Sequence, residues 1–358
     1  MFVLGINTGT SVDGVDLALV KWDRENLRNF EIIEEVSYEI DPTVKQEIEV
    51  IIAKQKASLE DLSNLHFKIG RFLAFIVNEF KKEFPQHKVE LIGMHGQTVF
   101  HGLDSSMQIG NPSLVAKLTG IPVVGDFRSA DIAYGGNGAP LTSYLDDILI
   151  RDPDETKATL NIGGIANITI MEPGKPTLAY DTGPGNTLID CLMKKLFHED
   201  FDLDGNVARS GRVDERFIDN LIRKTEYLAT EPPKTTGREY FDEKFADKFL
   251  DLGNKENIIA NVSYFTVKTI SNELQKYNLE EIFVAGGGFK NGFVMDALRE
   301  LNPGLKFNSH DSFKIKSQYK EAMLFSLLAF TSFNDIANNV PSSTGAKQAT
   351  ILGVLAKA

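Results

Sequence analysis

The segment Gly5-Ile6-Asn7-Thr8-Gly9-Thr10-Ser11-Val12-Asp13-Gly14 follows a short β-rich run, Phe2–Ile6, and precedes a second one, Val15–Val20. Glycine has no Cβ, so a hairpin built this way lets backbone N–H groups approach a phosphate closely. Thr10 and Ser11 add hydroxyl donors. Asp13 is the kind of carboxylate that holds a hydrated Mg²⁺ beside substrate phosphates. Taken by itself, the segment is also readable as an ordinary hairpin turn.

Two further glycine turns sit at strand ends. Asn161-Ile162-Gly163-Gly164-Ile165-Ala166-Asn167 joins two apolar strands. Asp181-Thr182-Gly183-Pro184-Gly185-Asn186 then leads into a helix whose first amides can face an anion. Asp181 ends an apolar strand, which suits either a general base or a turn cap. Gly286-Gly287-Gly288 follows Ile282–Ala285 and offers flat backbone for a ring such as adenine, with a tight turn as the plainer alternative. Neither GxxxxGK[ST] nor GxGxxG is present. Two phosphate hairpins followed by glycines for adenosine is the order used by the actin-like ATPase superfold. The fold class expected is therefore α/β: a two-domain actin-like ATPase of duplicated ribonuclease H-like domains with an interdomain cleft.

The remaining pattern fits two such halves. The first opens on strands 2–6, 15–20 and 30–40 and continues with helices 42–54 and 59–84, strand 89–94, helix 112–119, strand 121–125 and helix 142–150. The second opens on strands 157–162, 165–171 and 177–180, followed by helices 186–197, 214–224, 241–252 and 257–277. Strand 281–285 and helices 292–301, 317–333 and 346–357 complete it. A charged stretch around Pro153 marks the boundary, giving domains 1–152 and 153–358.

The chain has 358 residues, 42% hydrophobic and 25% charged, the profile of a globular protein large enough for two cores. A net charge of −12 argues against nucleic acid, which demands clustered cations, but not against an anionic small molecule held in a local cradle. The single cysteine, Cys191, excludes an intramolecular disulfide and reads as a small core residue. No apolar run reaches the length of a membrane span, and the N-terminal residues lack the basic start of a signal peptide. A cytoplasmic enzyme with no membrane partner is expected.

The glycine segments belong to a longer series. Met94-His95-Gly96-Gln97-Thr98, Gln108-Ile109-Gly110-Asn111-Pro112, Asp126-Phe127-Arg128 with Asp131, and Gly135-Gly136-Asn137-Gly138-Ala139-Pro140-Leu141 lie in the first half. Lys234-Thr235-Thr236-Gly237-Arg238-Glu239, Gly286-Gly287-Gly288-Phe289-Lys290-Asn291, Lys320-Glu321-Ala322 and Thr344-Gly345-Ala346 follow in the second. In this order the chain resembles the anhydro-N-acetylmuramic acid kinases from residue 5 to its C-terminus.

That resemblance implies ATP and Mg²⁺ as cofactors, a small anhydro amino sugar as partner and a tendency to form homodimers. It implies phosphorylation of O6 of 1,6-anhydro-N-acetylmuramic acid with hydrolytic opening of the anhydro ring, in peptidoglycan recycling. Asp181 becomes the base that activates water. Gly9, Thr10, Ser11, Asp13, Gly14, Asn161, Gly163, Gly164, Gly183, Gly286, Gly287 and Gly288 become the ATP and phosphate site, with Asp13 as the Mg²⁺ carboxylate. His95, Gln97, Thr98, Arg128 and Glu321 become the sugar site.

Read chemically, His95, Gln97 and Thr98 suit sugar hydroxyls or an N-acetyl group. Arg128 suits the lactyl carboxylate, unless it pairs with Asp126 or Asp131. Glu321 either faces the site or pairs with Lys320 or Lys316.

Three positions depart from the family pattern. Asn7-Thr8 stand where Met-Ser is usual, Lys314 where glycine is common, and Phe289 where a small residue follows the three glycines. A kinase for another anhydrosugar, such as levoglucosan, and a non-catalytic ATP-binding member of the actin fold remain as alternatives.

Overall fold

The apolar run Val3–Ile6 is buried on both sides, as the centre of a largely parallel sheet requires. This strand, β1 (Phe2–Thr8), is antiparallel to β2 (Gly14–Lys21), which is antiparallel to β3 (Glu31–Glu39). On its other side β1 runs parallel to β4 (Leu91–Met94), and β4 runs parallel to β7 (Val123–Gly125). A separate hairpin, β5 (Gln97–His101) with β6 (Ser106–Ile109), follows β4. A computed structural model supplies this architecture and describes residues 1–9, 14–54, 56–102, 104–237, 239–309 and 316–358.

The second sheet repeats the plan. β8 (Lys157–Ile162), β9 (Ile165–Met171) and β10 (Leu178–Pro184) form an antiparallel meander, and β8 continues in parallel to β11 (Glu281–Ala285) and then β12 (Lys306–Ser309). The orders β3-β2-β1-β4-β7 and β10-β9-β8-β11-β12 are the same topology twice. The duplicated α/β arrangement expected from the sequence is therefore present, although no sequence repeat reveals it.

The two compact units are Met1–Leu149 with Gln318–Ala358, and Ile150–Ser317. This differs from the expected domains 1–152 and 153–358: the last 41 residues return to the first unit. The cause is the apolar helix Lys320–Phe333, which packs its backbone onto β1 and β4 at two glycines. A Cβ on Gly5 would lie 1.8 Å from the Ala322 carbonyl oxygen, and one on Gly93 would lie 2.0 Å from that of Phe325. Ser326 Oγ locks the contact by donating to Val3 O at 2.9 Å and accepting from Trp22 Nε1 at 2.8 Å.

The helix expected over 346–357 is not formed. Asn338 Oδ1 accepts from Leu352 N (2.6 Å), Asn339 Oδ1 accepts from Thr350 N (2.8 Å), and Gly353 takes φ +95°. The chain stays extended and adds β13 (Val354–Ala356) antiparallel to β7, covering the sheet edge. The helix expected over 241–252 is broken into the short pieces Glu243–Ala246 and Asp247–Phe249. No described helix is long and apolar enough to cross a membrane.

Candidate functional site

In the first unit the residues assigned to the sugar collect at the C-terminal ends of the parallel strands β1, β4 and β7. Open α/β sheets bind ligands at this end. Thr8 ends β1, and His95 follows β4, donating its amide to Ile6 O at 3.3 Å. After β7 the chain turns through Asp126, whose φ of +58° an aspartate tolerates and whose Oδ1 accepts from Ser129 N and Oγ. The turn delivers Arg128 to His95.

Arg128 donates from Nε and Nη2 to His95 Nε2 at 3.2 and 3.0 Å, and from Nη1 to Gly138 O at 2.7 Å. A guanidinium is never an acceptor, so His95 Nε2 is, and the imidazole proton sits on Nδ1. His95 lies flat on Phe325, centroids 4.5 Å apart. Burial, assisted by the Arg128 charge, pulls its pKa down to about 3, so the ring is neutral.

Arg128 pairs with neither aspartate considered from the sequence. Asp126 caps the turn. Asp131, fully buried, accepts from Gly138 N (2.9 Å), Asn339 Nδ2 (2.8 Å) and Thr344 Oγ1 (2.7 Å) and ties the glycine loop to the C-terminal segment. Among the described residues Arg128 has no carboxylate partner. Burial lowers its pKa to about 10, opposed by the nearby Glu321 charge.

Gln97 is fully buried, and its Oε1 has no partner among the described residues; the same holds for Thr8 Oγ1. Such orphans cost free energy unless a ligand satisfies them. Thr98 Oγ1 accepts from Gln108 Nε2 at 3.3 Å across the β5–β6 hairpin. Glu321 is exposed and accepts from Asn7 Nδ2 at 2.6 Å, whereas Lys320 pairs with Asp146. The Asn7 amide, one of the departures from the family pattern, is thus a donor to the Glu321 carboxylate. Sequence reasoning missed this pairing, because its partners are 314 positions apart.

Gly9 follows β1 and Gly14 opens β2. Thr10, Ser11 and Asp13 lie outside the described residues, as does Arg238. Among the described residues no three His, Cys, Asp or Glu side chains converge as a metal site.

In the second unit one register row crosses the sheet as Asp181, Asn167, Asn161 and Ala285, on β10, β9, β8 and β11. Directly opposed residues share a face, so Asp181, Asn167 and Asn161 all point the same way, next to the Gly163-Gly164 turn and Gly286. The amides of Gly163 and Gly164 donate to no described residue. A Cβ on Gly287 would meet only Asn186 Nδ2, at 3.6 Å. Free amides in a turn and an open glycine face fit phosphate and a flat base.

Other glycines in the row are used differently. Gly286, at φ +88°, and Gly288 are there because a Cβ would strike Asn161 and Ile162. Gly183 is buried at a bulge, where a Cβ would press on Thr269 and Leu228. Three amides at the start of the helix after Asn186 are used within the fold. The amides of Gly185 and Thr187 donate to Gly164 O, and that of Asn186 to Gly163 O, at 2.8–3.1 Å.

Asp181 is half-buried, and its Oδ2 accepts from Thr235 Oγ1 at 2.9 Å and Thr236 N at 2.8 Å. Its Oδ1 has no partner among the described residues. Burial raises its pKa, the hydrogen bonds from Thr236 and Thr235 oppose that, and the Glu239 charge adds to it. Its carbonyl accepts from Tyr227 OH at 2.7 Å. The sequence reading noted Lys234-Thr235-Thr236 as a motif without a role; adjacent hydroxyl and amide donors were the available signal.

A family model described as anhydro-N-acetylmuramic acid kinase matches residues 1–358. Anhydro-N-acetylmuramic acid kinase of Bacillus thuringiensis subsp. konkukian is 35% identical over 379 aligned positions, covering 99% of this chain and 98% of the relative. The enzyme of that name from Bacillus cereus (strain AH820) matches at the same identity and coverage. A solved ROK family glucokinase from Streptomyces griseus, in complex with glucose and AMPPNP, is 11% identical with a TM-score of 0.40, covering 92% of this chain and 100% of that one. Matched from end to end by the family model and by these relatives, the chain belongs to the anhydro-N-acetylmuramic acid kinase family.

Proposed function

We propose that this kinase phosphorylates O6 of 1,6-anhydro-N-acetylmuramic acid and opens the anhydro ring with water. The products are N-acetylmuramic acid 6-phosphate and ADP, in cytoplasmic recycling of peptidoglycan. The observation that carries the proposal is Asp181: one carboxylate oxygen is fixed by two donors and the other is unpaired among the described residues. A phosphoryl transfer asks chiefly for positioning and charge neutralisation. An oriented, partly desolvated carboxylate is what hydrolysis of an acetal asks for in addition.

Asp181 takes a proton from water as the water oxygen bonds to the anomeric carbon. The bond from that carbon to the bridging O6 breaks, and O6 becomes the acceptor. Bound ATP with Mg²⁺ supplies the phosphoryl group. The Gly163-Gly164 amides and Gly287 are assigned to the nucleotide, and Asp13 to the metal. Arg128 is assigned to the lactyl carboxylate, and Gln97 and Thr8 to sugar or N-acetyl polar atoms, which would satisfy their unpaired oxygens.

ADP release and product mass with 1,6-anhydro-N-acetylmuramic acid, levoglucosan and N-acetylmuramic acid test this. A product heavier than the anhydro substrate by one phosphoryl group and one water is expected. Turnover of levoglucosan alone would move the substrate, and ATP binding without turnover of any sugar would overturn the reading.

A further inference from the structure

We propose that the buried Lys234–Glu273 ion pair is a latch that docks the strap 230–237 onto β10, making Lys234 a positioning residue for Asp181. The inference rests on the reading of Asp181 as the base. Lys234 Nζ lies 2.9 Å from Glu273 Oε1, with the two side chains 1% and 5% exposed. Desolvating two charges offsets much of their attraction, and apolar pairs of similar volume are often as stable. Such a pair therefore contributes mainly geometry, and the geometry here leads to one carboxylate.

Lys234 holds β10 through its backbone as well, its carbonyl accepting from Asp181 N at 3.0 Å. The next two residues supply both donors to Asp181 Oδ2. Pro232 and Pro233 precede it and restrict the backbone there. Lys234 Nζ lies over the rings of Tyr227 and Tyr180, 5.3 and 5.9 Å from their centroids. Tyr227 donates to Asp181 O, and Tyr180 OH donates to Glu273 Oε2 at 3.1 Å. Lys276 Nζ completes the Glu273 site at 2.7 Å. Thr235, Thr236 and Tyr227, the donors to Asp181, are thus each either within two residues of Lys234 or packed against its ammonium.

A double-mutant cycle on the full-length kinase tests the latch. Lys234→Met is expected to lower kcat by on the order of a hundredfold through misplacement of the base, with KM for ATP within about threefold of wild type. Thr235→Val, at an exposed strap position, is expected to cost about five- to tenfold, the value of one hydrogen bond to a charged group. In the Lys234→Met background the same change is expected to cost less than about twofold, because the strap is no longer docked. If Thr235→Val costs the same factor in both backgrounds, the latch is refuted.

Carbon NMR of the Asp181 carboxyl gives a readout independent of turnover. Losing a donor to the ionised form raises its pKa in Thr235→Val, and the rise disappears when Lys234 is also replaced. An unchanged titration in Thr235→Val overturns the proposal. Should Lys234→Met fail to fold, Glu273→Gln takes its place, with the same non-additivity expected. Asp181→Asn separates the two readings. If that variant keeps turnover, the base assignment fails while the NMR cycle still reports the latch.

Discussion

Replacing Arg128 by alanine gives the sharpest test of substrate recognition. A guanidinium carries five N–H donors, and three of those on Arg128 are used, two on His95 and one on Gly138 O. Two remain, on a group that no described carboxylate neutralises. A charge-assisted hydrogen bond contributes about 1.5–3 kcal/mol net, so losing the contact to a lactyl carboxylate should lower kcat/KM by about 10- to 150-fold. The variant also frees Gly138 O and leaves space beside His95, which affects any substrate. The assay therefore compares 1,6-anhydro-N-acetylmuramic acid with 1,6-anhydro-N-acetylglucosamine, which lacks the lactyl group. The tenfold or larger loss should appear as a ratio between the two substrates, mainly in KM. An equal loss for both would refute the carboxylate contact and leave Arg128 as a scaffold for the 135–138 loop.

Gly93→Ala should destabilise the first unit by about 3 kcal/mol, because its Cβ would meet backbone that cannot yield; urea denaturation indistinguishable from wild type would contradict the packing. Asp181 binds its proton more tightly folded than unfolded, so its ionisation weakens the fold as pH rises through the folded pKa. Asp181→Asn should then melt higher than wild type at pH 7.5 while losing turnover, and the gain should vanish below the unfolded aspartate pKa; a lower melting point at pH 7.5 would count against it. His95 has the opposite sign. Its folded pKa of about 3 lies below the usual 6.5, so its contribution is intact above pH 6.5 and drains away below it. Between pH 6.5 and 5 the loss is about 2 kcal/mol, and His95→Gln should flatten the pH dependence of stability by that amount; parallel curves for the two proteins would contradict a neutral buried ring.

Local signals carried much of the architecture. Apolar runs bounded by glycine turns announced both meanders, and the helices 42–54 and 59–83 followed from their spacing. What local pattern could not carry was decided by distant partners. Residues 346–357 have helical composition, yet two asparagine side chains and a free sheet edge hold them extended. The β5–β6 hairpin was missed because its strands are short and polar. At the site, residue types were legible and their partners were not. Arg128 was read as binding either a lactyl carboxylate or a neighbouring aspartate, and only the fold shows that Asp126 and Asp131 are committed elsewhere. Gly183 and Gly288 read as nucleotide-site glycines because a missing side chain looks the same whether it makes room for a ligand or for a neighbouring element of the fold.

The helix that seats on Gly5 and Gly93 has a consequence for biosynthesis. The N-terminal sheet emerges from the ribosome first, yet its central strands meet their covering helix only after residue 333 has been made. The unit formed by Ile150–Ser317 is one uninterrupted stretch and has all its strands earlier. Vectorial synthesis therefore inverts the order of completion: the part begun last closes first, and the part begun first waits for residues 320–333 to cover one face of its central strands.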